Sequence, residues 1–230
     1  MKYLITGTSR GLGKDLTKHF LSNDAVVVGL SRSKSDIEHE NLIEIACDLT
    51  KPGDIKSAFK QIKEKITSLD VTINCAALGN SNMLLMESPE AMAEAYSVNS
   101  IAPLLVIQNA VRLMRKQKFG RVINIGSIHE KIKPKGSVVY TSSKSALATI
   151  TEVASKELIG YGITVNTLNL GVYNSDMSNN LGEKFISSFL ETLPISKMVE
   201  LDEIVNVINF FTDKKSNGIT GQTISMSGVS

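Results

Sequence analysis

The stretch Tyr3-Leu4-Ile5-Thr6-Gly7-Thr8-Ser9-Arg10-Gly11-Leu12-Gly13 carries a short apolar run into three glycines and out again into an amphipathic pattern. Glycines at a strand-to-helix junction let the backbone approach a bound group with no Cβ in the way. The helix N-terminus adds free N–H groups and partial positive charge. The spacing, Gly-x3-Gly-x-Gly, suits a pyrophosphate while departing from Gly-x-Gly-x-x-Gly; the same glycines also suit any tight strand-to-helix turn.

Working outward, apolar runs at Tyr3 to Thr6, Ala25 to Leu30, Leu42 to Ala46, Val71 to Cys75, Val122 to Ile125, Thr164 to Leu168 and Thr223 to Met226 read as strands. They lack strict two-residue alternation, as strands covered on both faces do. Between them lie helical patterns at Gly11 to Leu21, Asp54 to Ile66, Asn99 to Lys116, Val138 to Ile159 and Leu201 to Phe211. This alternation predicts an α/β fold, one doubly wound domain over 1–230 with about seven parallel strands and helices on both faces. The segment 172–198 breaks the pattern with Asn179-Asn180, Gly182 and Pro194, and is expected to be a substrate loop.

With 25 Lys plus Arg against 23 Asp plus Glu, the net charge of +2 makes no electrostatic case for nucleic acid or membrane binding. A strand begins almost at Met1 and no long apolar run occurs, so neither a leader nor a membrane span is expected. Cys47 and Cys75, at the ends of core strands, suit small buried hydrophobes and a cytoplasmic location.

Several elements together resemble the short-chain dehydrogenase/reductase family, and in particular its 3-oxoacyl-carrier-protein reductase-like members. They are Thr6-Gly7-x3-Gly11-x-Gly13, Asp48-Leu49 after the third strand, Asn74-Cys75-Ala76-Ala77 after the fourth, Tyr140-x3-Lys144, and Ile219-Thr220-Gly221-Gln222 near the end. The resemblance implies a Rossmann-type domain in which Gly7, Ser9, Arg10, Gly11, Leu12 and Gly13 cradle a dinucleotide. It puts Asp48 and Leu49 beside the adenine and Asn74 and Ala76 along the cofactor. Leu170-Gly171-Val172-Tyr173-Asn174-Ser175 stands where relatives begin Pro-Gly, so Gly171 and Ser175 are expected at the nicotinamide, although Leu170 replaces the proline.

Tyr140 and Lys144, at i and i+4, share one helical face. A free tyrosine has a pKa of about 10, and lowering it by about three units takes roughly 4 kcal/mol of differential stabilisation. A neighbouring ammonium and an oxidised nicotinamide both favour the phenolate. Ser127 lies thirteen positions before Tyr140, the family's separation for a hydroxyl that stabilises the substrate oxygen. Asn99 matches the family's fourth member, which holds a water linked to Lys144; helix capping is its other reading. Tyr140 and Lys144 would also contact the cofactor.

After the second strand comes Ser31-Arg32, with no acid before Asp36. An NAD-selective strand end normally carries Asp or Glu for the ribose 2′ hydroxyl. Ser31, Arg32 and Arg10 instead suit a 2′-phosphate, which predicts NADP(H).

The expected activity is hydride transfer between the nicotinamide and a small-molecule carbonyl or secondary alcohol, free or carrier-bound. A catalytically silent NADP-binding sensor or scaffold is the alternative. The cluster Arg112, Arg115, Lys116, Lys118 and Arg121 suits either an acidic carrier or a solvated helix end. His129 reads as a pocket wall or loop residue, and no metal site is expected. Helices with apolar residues on more than one face, together with the resemblance, predict a homo-oligomer, a tetramer or dimer.

Overall fold

The computed structural model describes residues 1–79, 81–179 and 182–230; Asn80, Asn180 and Leu181, the last two inside the 172–198 segment, lie outside the described residues. In chain order the elements are β1 (Lys2–Thr6), α1 (Gly11–Leu21), β2 (Val26–Ser31), β3 (Leu42–Ala46), α2 (Pro52–Lys65), β4 (Val71–Asn74), α3 (Pro89–Tyr96), α4 (Ala102–Met114), β5 (Gly120–Ser127) and α5 (His129–Ile132). There follow α6 (Val138–Leu158), β6 (Ile163–Leu170), α7 (Asp176–Asn179), α8 (Glu183–Glu191), α9 (Leu201–Thr212) and β7 (Thr223–Ser225).

The strands form one parallel sheet in the order β3-β2-β1-β4-β5-β6-β7. The chain starts at the sheet's middle, winds outward to β3, then crosses back to β4 beside β1. Such a switch point opens a crevice at the strands' carboxyl ends, where ligands of this architecture bind. On one face α2 and α4 bring Ile55, Phe59, Ile62, Val106, Ile107 and Ala110 against Leu4, Val28 and Val122. On the other, α1 and α9 bring Leu16, Phe20, Ile204, Val205 and Ile208 against Ile5, Val27 and Ile73. Burial on both faces explains the missing alternation: every residue of β4 and β5 is buried.

Two sequence expectations change. The helix expected to start at Asn99 begins at Pro89, capped by Ser88, whose hydroxyl accepts from Ala91 N at 3.1 Å. It runs into α4 through a π turn at Ser97–Ile101, so Asn99 is an interior helical residue and not a cap. The expected loop 172–198 contains two helices, α7 and α8, the second because Phe185, Ile186, Phe189 and Leu190 recur at helical spacing.

Candidate active site

Gly7 adopts φ +79°, a left-handed conformation that only glycine takes freely, and packs against the Ala76 backbone. A Cβ on Gly13 would collide with the Gly7 carbonyl, so the third glycine lets α1 approach the turn. Thr6 Oγ1 accepts from Cys75 N and Ala76 N, each at 3.0 Å, locking the two strand ends that flank the crevice. No side chain caps the N-terminus of α1 at Arg10, which leaves the N–H groups around Gly11, Leu12 and Gly13 to an anion. The cradle fits a pyrophosphate.

Arg32, just past β2, and Arg10, at the start of α1, are both exposed. The Ser31 hydroxyl donates to Ser33 O at 2.6 Å, so its one hydrogen is already placed. Asp36 is ion-paired with Lys14 at 2.6 Å, which holds its carboxyl below the usual range. Asp48 accepts from Thr50 N and Oγ1 at 3.0 and 2.7 Å, shaping the turn into α2. Asn74 donates to Asn124 Oδ1 at 2.7 Å while its own Oδ1 is buried without a partner. Thr6, Leu49, Asn74, Ala76 and Val98 line one small cleft.

Beside this crevice, Ser127 ends β5, and Tyr140 and Lys144 lie in the first turns of α6. The Ser127 hydroxyl hydrogen-bonds Tyr140 and accepts from His129 N at 3.2 Å. Lys144 Nζ donates to Ile125 O at 2.7 Å and stands 5.9 Å from the Tyr140 ring centre. Burial pushes the Lys144 ammonium down to about 8. Burial also raises the Tyr140 phenol, with the Ser127 hydrogen bond opposing it. Asn99 uses its whole amide locally: Oδ1 accepts from Leu78 N at 2.8 Å, and Nδ2 donates to Leu78 O and Ser143 Oγ at 2.9 and 3.0 Å. It pins the loop after β4 to α6. Cys75 is partly buried near Lys144, and burial raises its thiol to about 12, so it is no thiolate.

Residues 2–185 match the short chain dehydrogenase family. The chain belongs to that family. It is accordingly an oxidoreductase of the nicotinamide-dependent, hydride-transferring kind. Among similar proteins, 3-oxoacyl-[acyl-carrier-protein] reductase FabG of Buchnera aphidicola is 27% identical over 98% of this chain and 95% of its own. A short chain dehydrogenase family protein from Francisella tularensis superposes with TM-score 0.90 at 26% identity, covering 99% of this chain and 97% of the other. A 4-hydroxyisoleucine dehydrogenase complexed with NADH does so with TM-score 0.92 at 22% identity, over 99% and 97%.

In this short-chain dehydrogenase the segment after β6 folds back over the glycine turn. Ser175 Cβ lies 3.5 Å from where a Cβ on Gly11 would stand, and Tyr173 OH donates to Asp15 Oδ2 on α1 at 2.8 Å. Leu170, where relatives carry a proline, opposes Ser127 along β6, and its carbonyl accepts from Ile128 N at 3.0 Å. Gly171 leaves room for the Ser227 side chain, which a Cβ would overlap. Arg121 drops out of the basic cluster, being 1% exposed, stacked 4.3 Å from Phe119 and hydrogen-bonded to Asn217.

Sequence reasoning missed Asn169. Buried in β6, it accepts from Ser127 N through Oδ1 at 3.0 Å and donates to Glu130 Oε2 at 3.0 Å, fixing the turn that carries Ser127. His129 stands edge-on to Tyr140 at 5.4 Å and 5.6 Å from Phe189 of α8. Burial pushes its imidazole down from the usual 6.5 to about 4. Between those values the unfolded chain binds a proton that the folded chain refuses, so acidification from pH 6.5 toward 4 lowers stability. His129→Phe should shrink the difference in urea midpoint between pH 7 and pH 5; an unchanged difference would assign the acid sensitivity to other groups.

Proposed function

We propose that this chain is an NADP(H)-dependent reductase or dehydrogenase acting on a carbonyl or secondary alcohol, with Tyr140 as the general acid and base. The observation that carries the reading is the meeting of Ser127, Tyr140 and Lys144 beside a glycine cradle shaped for a pyrophosphate. Bound NADP(H) supplies or accepts the hydride. In reduction Tyr140 gives its proton to the substrate oxygen and Ser127 polarises that oxygen. Lys144 grips the nicotinamide ribose and, when charged, favours the phenolate left behind. Gly171 and Ser175 border the nicotinamide, and α7 and α8 cover the substrate. An intact proton donor disfavours a silent sensor on the same fold. Turnover of NADPH with a panel of acyl-thioester, sugar and quinone carbonyls tests the activity, and no oxidation with any of them would return the sensor reading.

The preference for NADP(H) rests on the β2 end. No carboxylate stands at Ser31-Arg32, and Asp36 is engaged by Lys14, while the Arg32 guanidinium is exposed and forms no ion pair among the described residues. A charged hydrogen bond contributes about 1.5 to 3 kcal/mol. Arg32→Ala should therefore weaken NADPH by roughly ten- to a hundredfold and leave NADH nearly unchanged. Comparing kcat/KM for both cofactors in wild type and variant checks this, and equal weakening of the two would remove Arg32 from the phosphate site.

A cytoplasmic homo-oligomer is part of the same proposal. Met92, Ile101, Leu104 and Val153 are exposed on α3, the π turn, α4 and α6, an apolar surface that a second copy would cover. Among the described residues no helix is long and apolar enough to cross a membrane.

A further inference from the structure

Asn169 takes no part in the proposed chemistry, yet its side chain grips both ends of the turn that presents Ser127. It is fully buried in β6, opposite Gly126 of β5. A Cβ on Gly126 would overlap Asn169 Oδ1, so the glycine is what admits the amide there. From this place Oδ1 accepts from Ser127 N at 3.0 Å, and Nδ2 donates to Glu130 Oε2 at 3.0 Å. One side chain thus clamps the first and fourth residues of Ser127-Ile128-His129-Glu130.

The clamp bears on the aim of the Ser127 hydroxyl. Inside the turn Ser127 Oγ accepts from His129 N at 3.2 Å and hydrogen-bonds Tyr140. Where His129 N stands depends on the shape of the turn, and Asn169 holds that shape at both ends. Two residues earlier on the same strand, Ile125 O receives Lys144 Nζ at 2.7 Å. The two halves of the site are thus registered on one strand: α6, with Tyr140 and Lys144, at Ile125, and the serine through its own amide. Only one orientation of the Asn169 amide meets both bonds, because a backbone N–H requires the oxygen and a carboxylate requires the NH2. Glu130 therefore dictates which way Asn169 faces.

We propose that Asn169, oriented by Glu130, is a positioning residue for the reaction, acting through Ser127 by holding its hydroxyl where the substrate oxygen develops charge. The inference rests on Ser127 being the oxyanion donor. A misplacement of about 1 Å costs up to about 10² in rate, so Asn169→Ala is expected to lower kcat by about tenfold to a hundredfold. The loss cannot exceed that of removing the hydroxyl outright. KM for NADPH should change little, since the strand stays paired through backbone, with Asn169 O accepting from Met226 N at 2.9 Å.

Single-turnover rates at saturating NADPH, with the fastest substrate of the acyl-thioester, sugar and quinone panel, test this in wild-type and Ser127→Ala backgrounds. With the hydroxyl present, Asn169→Ala should show its full loss. In Ser127→Ala, with no hydroxyl to aim, the same change should cost about twofold at most. A residue that only supports the fold would lower the urea midpoint in both backgrounds and leave the rate per folded molecule alone. Asn169→Asp keeps the acceptor for Ser127 N but turns a second carboxylate on Glu130, and should be impaired. Adding Glu130→Gln should recover its rate, because an amide then donates across the same gap with the polarity reversed. Glu130→Ala, at the half-buried end of the clamp, gives the same background comparison where Asn169→Ala does not fold. Equal losses in both backgrounds, an undiminished kcat in Asn169→Ala, or no recovery in the paired variant overturns the inference. Undiminished turnover in Ser127→Ala would instead overturn the reading of Ser127, and turnover of no carbonyl would overturn the reductase reading on which both stand.

Discussion

Tyr140→Phe is expected to bind NADPH as tightly as wild type and to lose about three orders of magnitude or more in kcat. The ring's packing survives: its contacts with His129 at 5.4 Å and Lys144 at 5.9 Å involve the aromatic face and edge, not the hydroxyl. The proton donor does not survive. General acid catalysis by one positioned group contributes about 10² to 10⁴, and here no neighbour can substitute. Lys144 points its ammonium at Ile125 O, His129 is held neutral by burial, and the Cys75 thiol is raised to about 12. Single-turnover measurements at saturating NADPH, paired with a fluorescence titration of the cofactor, separate chemistry from binding. Near-normal turnover would place the proton transfer elsewhere.

Ser127→Ala should lower kcat by about 10² to 10³, or roughly 2.7 to 4 kcal/mol of transition-state stabilisation, as loss of an oxyanion donor does. The position is set by backbone on both sides: Ser127 N donates to Asn169 at 3.0 Å, and Ser127 pairs with Leu170 along β6. Alanine keeps both. It removes the hydroxyl that bonds Tyr140 and that accepts from His129 N. A neutral hydrogen bond lost at a buried site costs about 1 kcal/mol of stability, so the variant should remain folded at 25 °C while kcat collapses. Loss confined to stability, with kcat within a fewfold of wild type, would make Ser127 a structural residue that ends β5.

Which features were legible in advance follows from how far apart the participants lie. The Gly7, Gly11 and Gly13 spacing, the Tyr140 and Lys144 pair and the strand-helix alternation are local: a turn or a helical period writes them into a few consecutive residues. Length supplied the rest of what could be read, since strands joined by helices have to pair in parallel. The residues that shape the site are joined over long separations. Asn169 meets Ser127 across 42 positions, Tyr173 reaches Asp15 across 158, and Asn99 clasps Leu78 and Ser143.

No periodicity encodes those contacts, because they depend on the order β3-β2-β1-β4-β5-β6-β7 and on which face each helix covers. The same holds for the misreadings. Arg121 looks like a surface cation in sequence, and only the packing of Phe119 and Asn217 around it takes it inside. Helix capping, the second reading that Asn99 allows in sequence, falls away because the π turn makes it an interior clasp. The residue pattern alone thus determined a parallel α/β sheet with a glycine cradle and a Tyr-Lys helix face. Tertiary structure decided which side chains close around that face, because burial and hydrogen-bond satisfaction are settled between elements and not within them.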